Sequence, residues 1–590
     1  MSDFNESIHK GLVLDHPSSL FVLFFTEMWE RFSYYGMRAL LVLFLIASIS
    51  DGGYGWERAD ALGLYALYTG LVYFTPLIGG ILADKLLGYR KAVIIGAFVM
   101  ALGHLFMALE IPIFFYMGLG ALILGNGLFK PNISSIVGQL YTNPEKKDSA
   151  YTIFYMGINA GAFLGILLCG YIGEKVGWSY GFGLAMIFMV VGALQFWLGS
   201  SVFGNIGLSP KNDTVADLEN TIAQTSIANE KNKGRLMMWI GIAVVIGIIV
   251  FFVNPTKDFS SILSSINKAY MPSIIVAAFV GIIGFIVTDP SLTKVEKDRV
   301  WIIVIFTMFI VFFWWAFEQA GGSMTVFAND YTDRDLVGNQ AFIFNLCNTI
   351  LTVVPMIVIT WVLIKLFKTT YGDIPLSNII LGLSFLMIWI IIYFMLAFEW
   401  GLHLGFAEQL GLDIDPNKTE VAASWFGILN SFFIIAFAPL FSKFWDTKII
   451  TSGPIKFAMG LGLLAIGFAL LAWGSNGIPQ GAKTASVSMV WLILAYLFHT
   501  LGELCISPVG LAYVSKLAPV RLIGLMFGVF FLANFLANWA GGMTGSYIDQ
   551  IVEKNSMTIF FLIFTVIPGT AALILVIINK WMQKKMHGIL

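Results

Sequence analysis

The sequence predicts an all-α polytopic membrane protein, and three observations carry that prediction. Apolar runs of about 20 residues, the length a helix needs to cross a bilayer, recur along the whole chain. Of 590 residues, 58% are hydrophobic and only 12% are charged, against about 25% charged in soluble domains. The charges gather between the apolar runs. There they set orientation, so the net charge of -1 says little about partners. No stretch has the size of a separate soluble catalytic module, and the sequence holds no metal cluster, nucleophile elbow or phosphate loop. Cys169, Cys347 and Cys505 lie in apolar spans without metal-ligand spacing or a disulfide framework. They read as packing residues. Met1 to Ser18 is polar, and the first apolar run is too long and too charged for a signal peptide.

Spans are expected at about 20–48, 61–83, 92–109, 112–141, 151–173 and 179–202. A polar stretch from Phe203 to Gly234 follows, with Lys211, Asp213, Asp217, Glu219, Glu230, Lys231 and Lys233, and Arg235 just past its end. Further spans fall at about 236–253, 271–288, 299–321, 341–367, 376–398, 423–443, 456–473, 487–515, 523–547 and 556–583. With a cytoplasmic N-terminus the alternation of sixteen spans leaves the outer loops poorer in base and gathers basic residues in the inner loops, as the positive-inside rule requires. These are Lys85, Arg90 and Lys91, Lys146 and Lys147, Lys294, Lys297 and Arg299, Lys365 and Lys368, Lys443, Lys448 and Lys456, Lys516 and Arg521, and Lys580, Lys584 and Lys585. The longest loop on the other side holds Glu399, Glu408, Asp413, Asp415 and Glu420 against Lys418 alone.

The spans 236–253, 271–288 and 376–398 contain no Asp, Glu, Lys or Arg, and 341–367 holds only Lys365 near its end. They form two hairpins with no mid-span charge to offer a central cavity, so both read as peripheral. Removing them leaves six spans on each side of the polar seam, the 6+6 arrangement of the major facilitator superfamily. The expected units are a six-helix bundle at 1–202, a cytoplasmic linker with a peripheral hairpin at 203–298, the first helix of the second bundle at 299–321, an inserted hairpin with an acidic outer loop at 322–422, and the rest of the second bundle at 423–590.

The first span carries its charges on one stripe. At 100° per residue, Glu27, Glu30, Arg31, Tyr34 and Arg38 share an arc of about 100° over roughly 16 Å of axis. The remaining faces are Phe, Leu, Val, Trp and Met. A charge in hydrocarbon is turned inward and used, so this stripe is expected to line a cavity. A static salt-bridge lock is the plainer reading, but two acids and two bases exceed what packing needs. Lys130 sits mid-span among Gly125, Gly127 and Pro131, and needs a carboxylate partner or loses its proton. Glu318 follows Phe313-Trp314-Trp315-Ala316-Phe317, and Glu503 precedes Ser507-Pro508. Mostly bases in the first half and acids in the second place opposite signs across a cleft.

These residues also carry a resemblance. Glu27-x-x-Glu30-Arg31-x-x-Tyr34-Tyr35, Gly79-Gly80 through Asp84-Lys85 to Gly88, Phe154-Tyr155 with Asn159 and Gly161, Trp425-Phe426 with Asn430, Ala438-Pro439, and the Glu503 segment are similar to the proton-dependent oligopeptide transporters of the major facilitator superfamily. The match runs from about residue 20 to 550. It implies a proton-coupled symporter importing di- and tripeptides by alternating access, not an enzyme, with the proton as co-substrate and no cofactor or metal. Arg31 and Lys130 would meet the peptide carboxylate, with Tyr35 and Tyr73 nearby. Glu503 would meet the ammonium, and Asn159 and Asn430 the ends or the amide. Trp314, Phe317 and Trp425 would form apolar walls, and Ser507 a polar edge. Glu27 and Glu30, paired with Arg31 and Lys130, would carry protons. Arg38 with Glu318 and Lys130 with Glu503 would form outer and inner gating pairs. Asp84, Lys85, Arg90 and Lys91 would form the superfamily's cytoplasmic loop.

The resemblance assigns the motif helix to 423–443 and makes 341–398 extra, with a lipid-facing or partner-facing role. Ser431 stands where Pro is common, Ala162 where Ser is frequent, and the second span lacks a His. His499, four residues before Glu503, reads first as a packed histidine and second as a relay. The expected setting is a bacterial inner membrane with both termini cytoplasmic, a monomer with the hairpins as possible partner surfaces, and no nucleic acid. A related transporter of a non-peptide zwitterion or drug-like solute is the alternative; a non-transporting receptor or scaffold is least favoured, since a scaffold has no need of a proton site.

Overall fold

The computed structural model describes residues 4–8, 11–209, 215–412, 414, 418–447, 452–519 and 522–589, without the side chains of 215–232, 446, 508, 509, 511, 512, 515 and 523. The bases Lys448 and Arg521, the acids Asp413 and Asp415, and Lys211 and Asp213 of the polar seam lie outside the described residues.

Fifteen described helices are long and apolar enough to cross a membrane. The helix Ser18–Ile46 is a sixteenth by length, and it differs from the others in carrying Glu27, Glu30, Arg31 and Arg38. The sixteen expected spans are thus all helical. They are α1 (Ser18–Ile46), α2 (Arg58–Leu82), α3 (Tyr89–Ala108), α4 (Pro112–Gln139), α5 (Pro144–Lys175), α6 (Trp178–Gly199), α7 (Val215–Val253), α8 (Met271–Val287), α9 (Lys294–Phe317), α10 (Asn339–Thr370), α11 (Pro375–Glu399), α12 (Ile428–Asp446), α13 (Gly453–Gly474), α14 (Val490–Leu517), α15 (Ile523–Gly545) and α16 (Met557–Lys585). Among the described residues, strands are limited to two-residue and three-residue pieces outside the helices: β1 (Leu12–Val13), β2 (His16–Pro17), β3 (Thr332–Asp333), β4 (Asp335–Val337), β5 (Lys418–Glu420) and β6 (Val487–Ser488). Backbone polar groups in hydrocarbon must be satisfied within the segment, which helices alone achieve here.

The first six helices pack on one another, with α1 against α5 and α6 and α4 against α2 and α3. The second group packs α13 against α14 and α16, and α9 against α14, α15 and α16. The groups meet where α2 crosses α15 and α5 crosses α12. Small residues permit the closest approaches, as membrane packing favours. A Cβ on Gly161 of α5 would lie 2.2 Å from the Met28 carbonyl oxygen and 2.8 Å from the Arg31 Cβ. Arg31 is therefore fixed from outside its own helix.

The hairpin α7–α8 lies against α15, and Asn267 just before α8 donates to the Gly63 carbonyl at 2.8 Å. The hairpin α10–α11 is joined in sequence to the second group yet seats on the first. Ser377 donates to the Gln195 carbonyl of α6 at 2.9 Å, and Phe385 meets Phe25 and Trp29 of α1 edge-on, both at 5.6 Å. Its outer faces, including Ile350, Val354, Ile357 and Trp361, are exposed and apolar.

Candidate substrate cavity and proton site

The stripe predicted on α1 is buried and turned inward. Glu27, Glu30 and Arg31 are each 3% exposed or less. The Arg31 Nε donates to Glu27 Oε1 at 2.8 Å and lies 2.6 Å from Glu30 Oε2. The second contact is an ion pair without hydrogen-bond geometry, and Arg31 Nη2 has no hydrogen-bond partner among the described residues. Asn126 of α4 donates to the other Glu30 oxygen at 3.0 Å. One guanidinium thus holds two carboxylates while keeping a donor in reserve. Lys130, one turn beyond Asn126, is partly exposed, and its Nζ stands 4.5 Å from the centre of the Tyr73 ring. It has no ion-pair partner among the described residues, so Lys130 and Glu503 are not paired in this structure.

A cavity of about 180 Å³ lies between the two groups. Tyr35 and Asn159 line it from the first group, Phe317, Asn430 and Glu503 from the second. Glu503 Oε2 accepts from Asn430 Nδ2 at 2.8 Å, and Asn430 also donates to Thr500 Oγ1 at 3.1 Å. Among the described residues no cation pairs with Glu503. Its carboxylate is 9% exposed at residue level and solvated by one neutral amide. Trp314 packs edge-on against Phe317 at 5.1 Å, just behind the wall. Ser507, one turn past Glu503, has a buried hydroxyl without a partner among the described residues.

Trp425 departs from its expected place. Its Nε1 donates to the Leu167 carbonyl at 3.0 Å, and its ring is stacked between Tyr171 of α5 and Phe344 of α10. The neighbouring Ser424 and Gly427 reach the cavity instead. The short 3-10 turn Ala423–Gly427 causes this, because three residues per turn aim Trp425 away when Ser424 faces in. His499 is buried with both ring nitrogens unpartnered among the described residues, against Phe468 at 4.3 Å and the bare backbone of Gly467. It is a packing residue on the face of α14 that meets α13.

The two groups are bolted together on the face opposite the start of α1. Arg38 pairs with Glu318, and its Nε also donates to the Tyr65 hydroxyl at 2.7 Å. Gly321 makes this possible: a Cβ there would lie 2.1 Å from that hydroxyl. Arg58 binds Asp330 at 2.7 Å and Asp549 at 2.8 Å. Glu420 pairs with Lys175 and, at 3.1 Å, with Arg334. Glu174 accepts the backbone N–H groups of Ala423 and Ser424 at 2.8 and 2.9 Å. Toward the other face the groups part. Residues 161–170 of α5 are buried throughout, whereas Tyr151, Tyr155 and Met156 are exposed. The expected Arg38–Glu318 pair is therefore formed and the Lys130–Glu503 pair open, the pattern of a cavity closed at one end.

Of the loop residues after α2, Asp84 and Lys85 lie exposed on the turn Ala83–Leu87, and Lys91 is exposed at the start of α3. Arg90 instead donates to the Gly204 carbonyl at 2.6 Å and covers the Phe203 ring, tying α3 to the chain after α6. Asn126, Tyr65, Ser424 and Thr500 were not anticipated as site residues. Asn126 is four residues before Lys130 and Thr500 three before Glu503, so helical spacing from the charged residues would have found both.

Two six-helix groups around a central polar cavity, with ion pairs joining them at one end, define a transporter of the major facilitator type. The chain belongs to the POT family: the family model PTR2 matches residues 90–385 and 377–561. It is 31% identical to the uncharacterized transporter YclF of Bacillus subtilis, with 99% of each chain covered. It is 32% identical to the peptide transporter YePEPT of Yersinia enterocolitica, over 91% of this chain and 89% of the relative. The crystal structure of a peptide transporter POT in complex with sulfate superimposes with a TM-score of 0.71 at 27% identity, covering 99% of this chain and 98% of that one.

Proposed function

We propose that this protein is a proton-coupled symporter that imports di- and tripeptides by alternating access. One observation carries the reading: Glu503, with no cation beside it among the described residues, lines the cavity, and one turn of α1 from the cavity-lining Tyr35 a buried guanidinium, Arg31, holds an unused donor. A short peptide supplies what both lack. Its ammonium neutralises Glu503, and its carboxylate takes Arg31 Nη2 and the Lys130 ammonium through charge-assisted hydrogen bonds. Asn159 and Asn430 face the amide between. Backbone and termini are common to all short peptides, and apolar walls discriminate only by about 1–3 kcal/mol per methylene, so Phe317 and its neighbours tolerate many side chains. The relatives described as peptide transporters support this substrate class.

Coupling follows from shared charge. While Glu27 and Glu30 are both ionised, Arg31 is held by them. A proton on either one loosens that hold and turns the guanidinium toward the substrate carboxylate. After substrate and proton leave, the carboxylates reclaim it. Each proton moving down a potential of about 100 mV gains about 2.3 kcal/mol, which drives accumulation. Rocking of one six-helix group on the other would break Arg38–Glu318 at one end as Lys130 and Glu503 close at the other. We assign the termini to the cytoplasm on the distribution of basic residues, which makes the bolted face the outer one, and the setting a bacterial inner membrane. Asp84, Lys85 and Lys91 then belong to the cytoplasmic loop, with Arg90 as its anchor. The units 1–202, 203–298, 299–321, 322–422 and 423–590 serve this scheme, with 203–298 as a peripheral piece. No cofactor enters it, and the protein works as a monomer.

Proteoliposomes with an inward proton gradient are expected to accumulate a labelled dialanine-type peptide. Uptake that a protonophore leaves unchanged would remove the proton from the scheme.

A further inference from the structure

The inserted hairpin contains a carboxylate that the transport scheme does not use. Glu399 is the last residue of α11, where the negative end of the helix dipole opposes a charged carboxylate. Both of its oxygens face one donor: Asn348 Nδ2 of α10 lies 3.1 Å from Oε1 and 2.8 Å from Oε2. Every other group facing it is neutral. From α10 these are Asn345, which donates to the Glu399 carbonyl at 2.8 Å, and Thr349 and Thr352. From α5 it is the Tyr171 phenol. From β5 it is Thr419, whose hydroxyl meets Asn345 Oδ1 at 3.2 Å. Strand alternation aims Lys418 and Glu420 the other way, onto Asp335 and onto Lys175 and Arg334. On its own segment, His403 is held by Tyr393 at 2.9 Å. Among the described residues, no cation compensates Glu399.

A single amide satisfies a carboxylic acid better than a carboxylate. The Asn348 N–H₂ group serves both Glu399 oxygens while Asn348 Oδ1 accepts from Thr352 at 3.4 Å, so an ionised Glu399 has its charge met by one neutral amide, whereas the acid form carries no charge to compensate. We propose that Glu399 is a proton-binding site outside the substrate cavity, and that its proton seats α10 on the turn Ala423–Gly427. The connection is short. Asn345 and Asn348 sit on α10 beside Phe344, Phe344 stacks on Trp425, and Ser424 and Gly427 on either side of Trp425 line the cavity. Protonated Glu399 locks α10 to α11 and presses Phe344 on Trp425. Loss of the proton to water at that face leaves an uncompensated charge, which is relieved when α10 shifts and Phe344 lifts.

The test does not require transport, so its failure is distinguishable from failure of the peptide reading. With Cys169, Cys347 and Cys505 replaced by Ser, a single Phe344→Cys is labelled by a polar maleimide across a pH series, in a Glu399 background and in a Glu399→Gln background. Gln imitates the protonated acid, and taking the ratio of the two rates cancels the titration of the thiol itself. The expected ratio is near one in acid and rises severalfold in alkali. A ratio flat across the series would overturn the proposal. Infrared difference spectra supply the second readout on the unmodified chain. A protonated-carboxyl band that bleaches with alkali and is missing from Glu399→Gln is expected, and an identical band in both would also overturn it.

Discussion

The two charged walls of the site handle charge in opposite ways. On the wall of α1 and α4, set outside the residues that line the cavity, Glu27, Glu30 and Arg31 compensate one another within 2.8 Å, and Asn126 adds a third contact. On the wall of α12 and α14, Glu503 has only Asn430 among the described residues. The first wall is a closed set whose members can exchange partners. The second is an open valence. Proton exchange suits the former, where protonating one member redistributes the rest. Ligand recognition suits the latter, where only an incoming cation completes the set. Removing one partner from a buried ion pair is destabilising by about 3–5 kcal/mol, so the walls must also differ in how they respond to mutation.

The largest effect is expected at Arg31. Arg31→Ala leaves two buried carboxylates uncompensated, and should both abolish uptake and lower the melting temperature in detergent. A melting temperature equal to that of the unmodified protein would show that the cluster is not the closed set described. Glu30→Gln and Glu27→Gln come next. Each should eliminate gradient-driven uptake while sparing peptide counterflow, measured on the same vesicles; if both modes fall together, the residue belongs to binding.

Glu503→Gln should act more narrowly. It removes a charged hydrogen-bond acceptor worth about 1.5–3 kcal/mol, so affinity for free-amine peptides should drop by about tenfold or more, with N-blocked peptides nearly unaffected. Equal weakening of both peptide classes would take Glu503 out of the ammonium site. The smallest effect is expected at the bolted face. Burial alone would push the Glu420 carboxyl up, but the hydrogen bond and charge of Lys175, and then Arg334, outweigh it and hold the group below its ordinary value. A depressed carboxylate stabilises the state that depresses it above its ordinary value, and that contribution is lost as the pH falls through the depressed value. Acidifying this face should therefore ease its opening slightly, and Glu420→Gln should make opening insensitive to that acidification. Distance measurements between spin labels on Lys483 and Glu57 would report it, and a Gln variant with the unmodified acid response would discount the latch.

Much of this was legible in the chain itself. The α1 stripe follows from helical periodicity and the expense of charge in hydrocarbon. Both rules are local, and the structure buries Glu27, Glu30 and Arg31 together. The side of Trp425 was not legible, because a 3-10 turn replaces α-helical spacing at 423–427. Nor was the seat of α10–α11. Its apolar faces fit lipid and protein equally well, so composition could not reveal that Phe385 would meet Trp29 across the two groups. Glu399 read as one acid among several in a loop, since its neutral setting depends on Asn348, 51 residues earlier in the chain.

Sequence by itself determined the sixteen spans, the 6+6 core, the family and the residues that bear charge inside the membrane. Hydrophobic length and helical period are properties of neighbouring residues, and each acts before the helices meet. Tertiary structure alone decided which charges share a partner, which face of the cavity is shut and which wall keeps an uncompensated acid. Those outcomes depend on distances of a few ångströms between residues far apart in the chain, set by close helix crossings such as Gly161 on α1 and by the approach of Arg38 to Glu318.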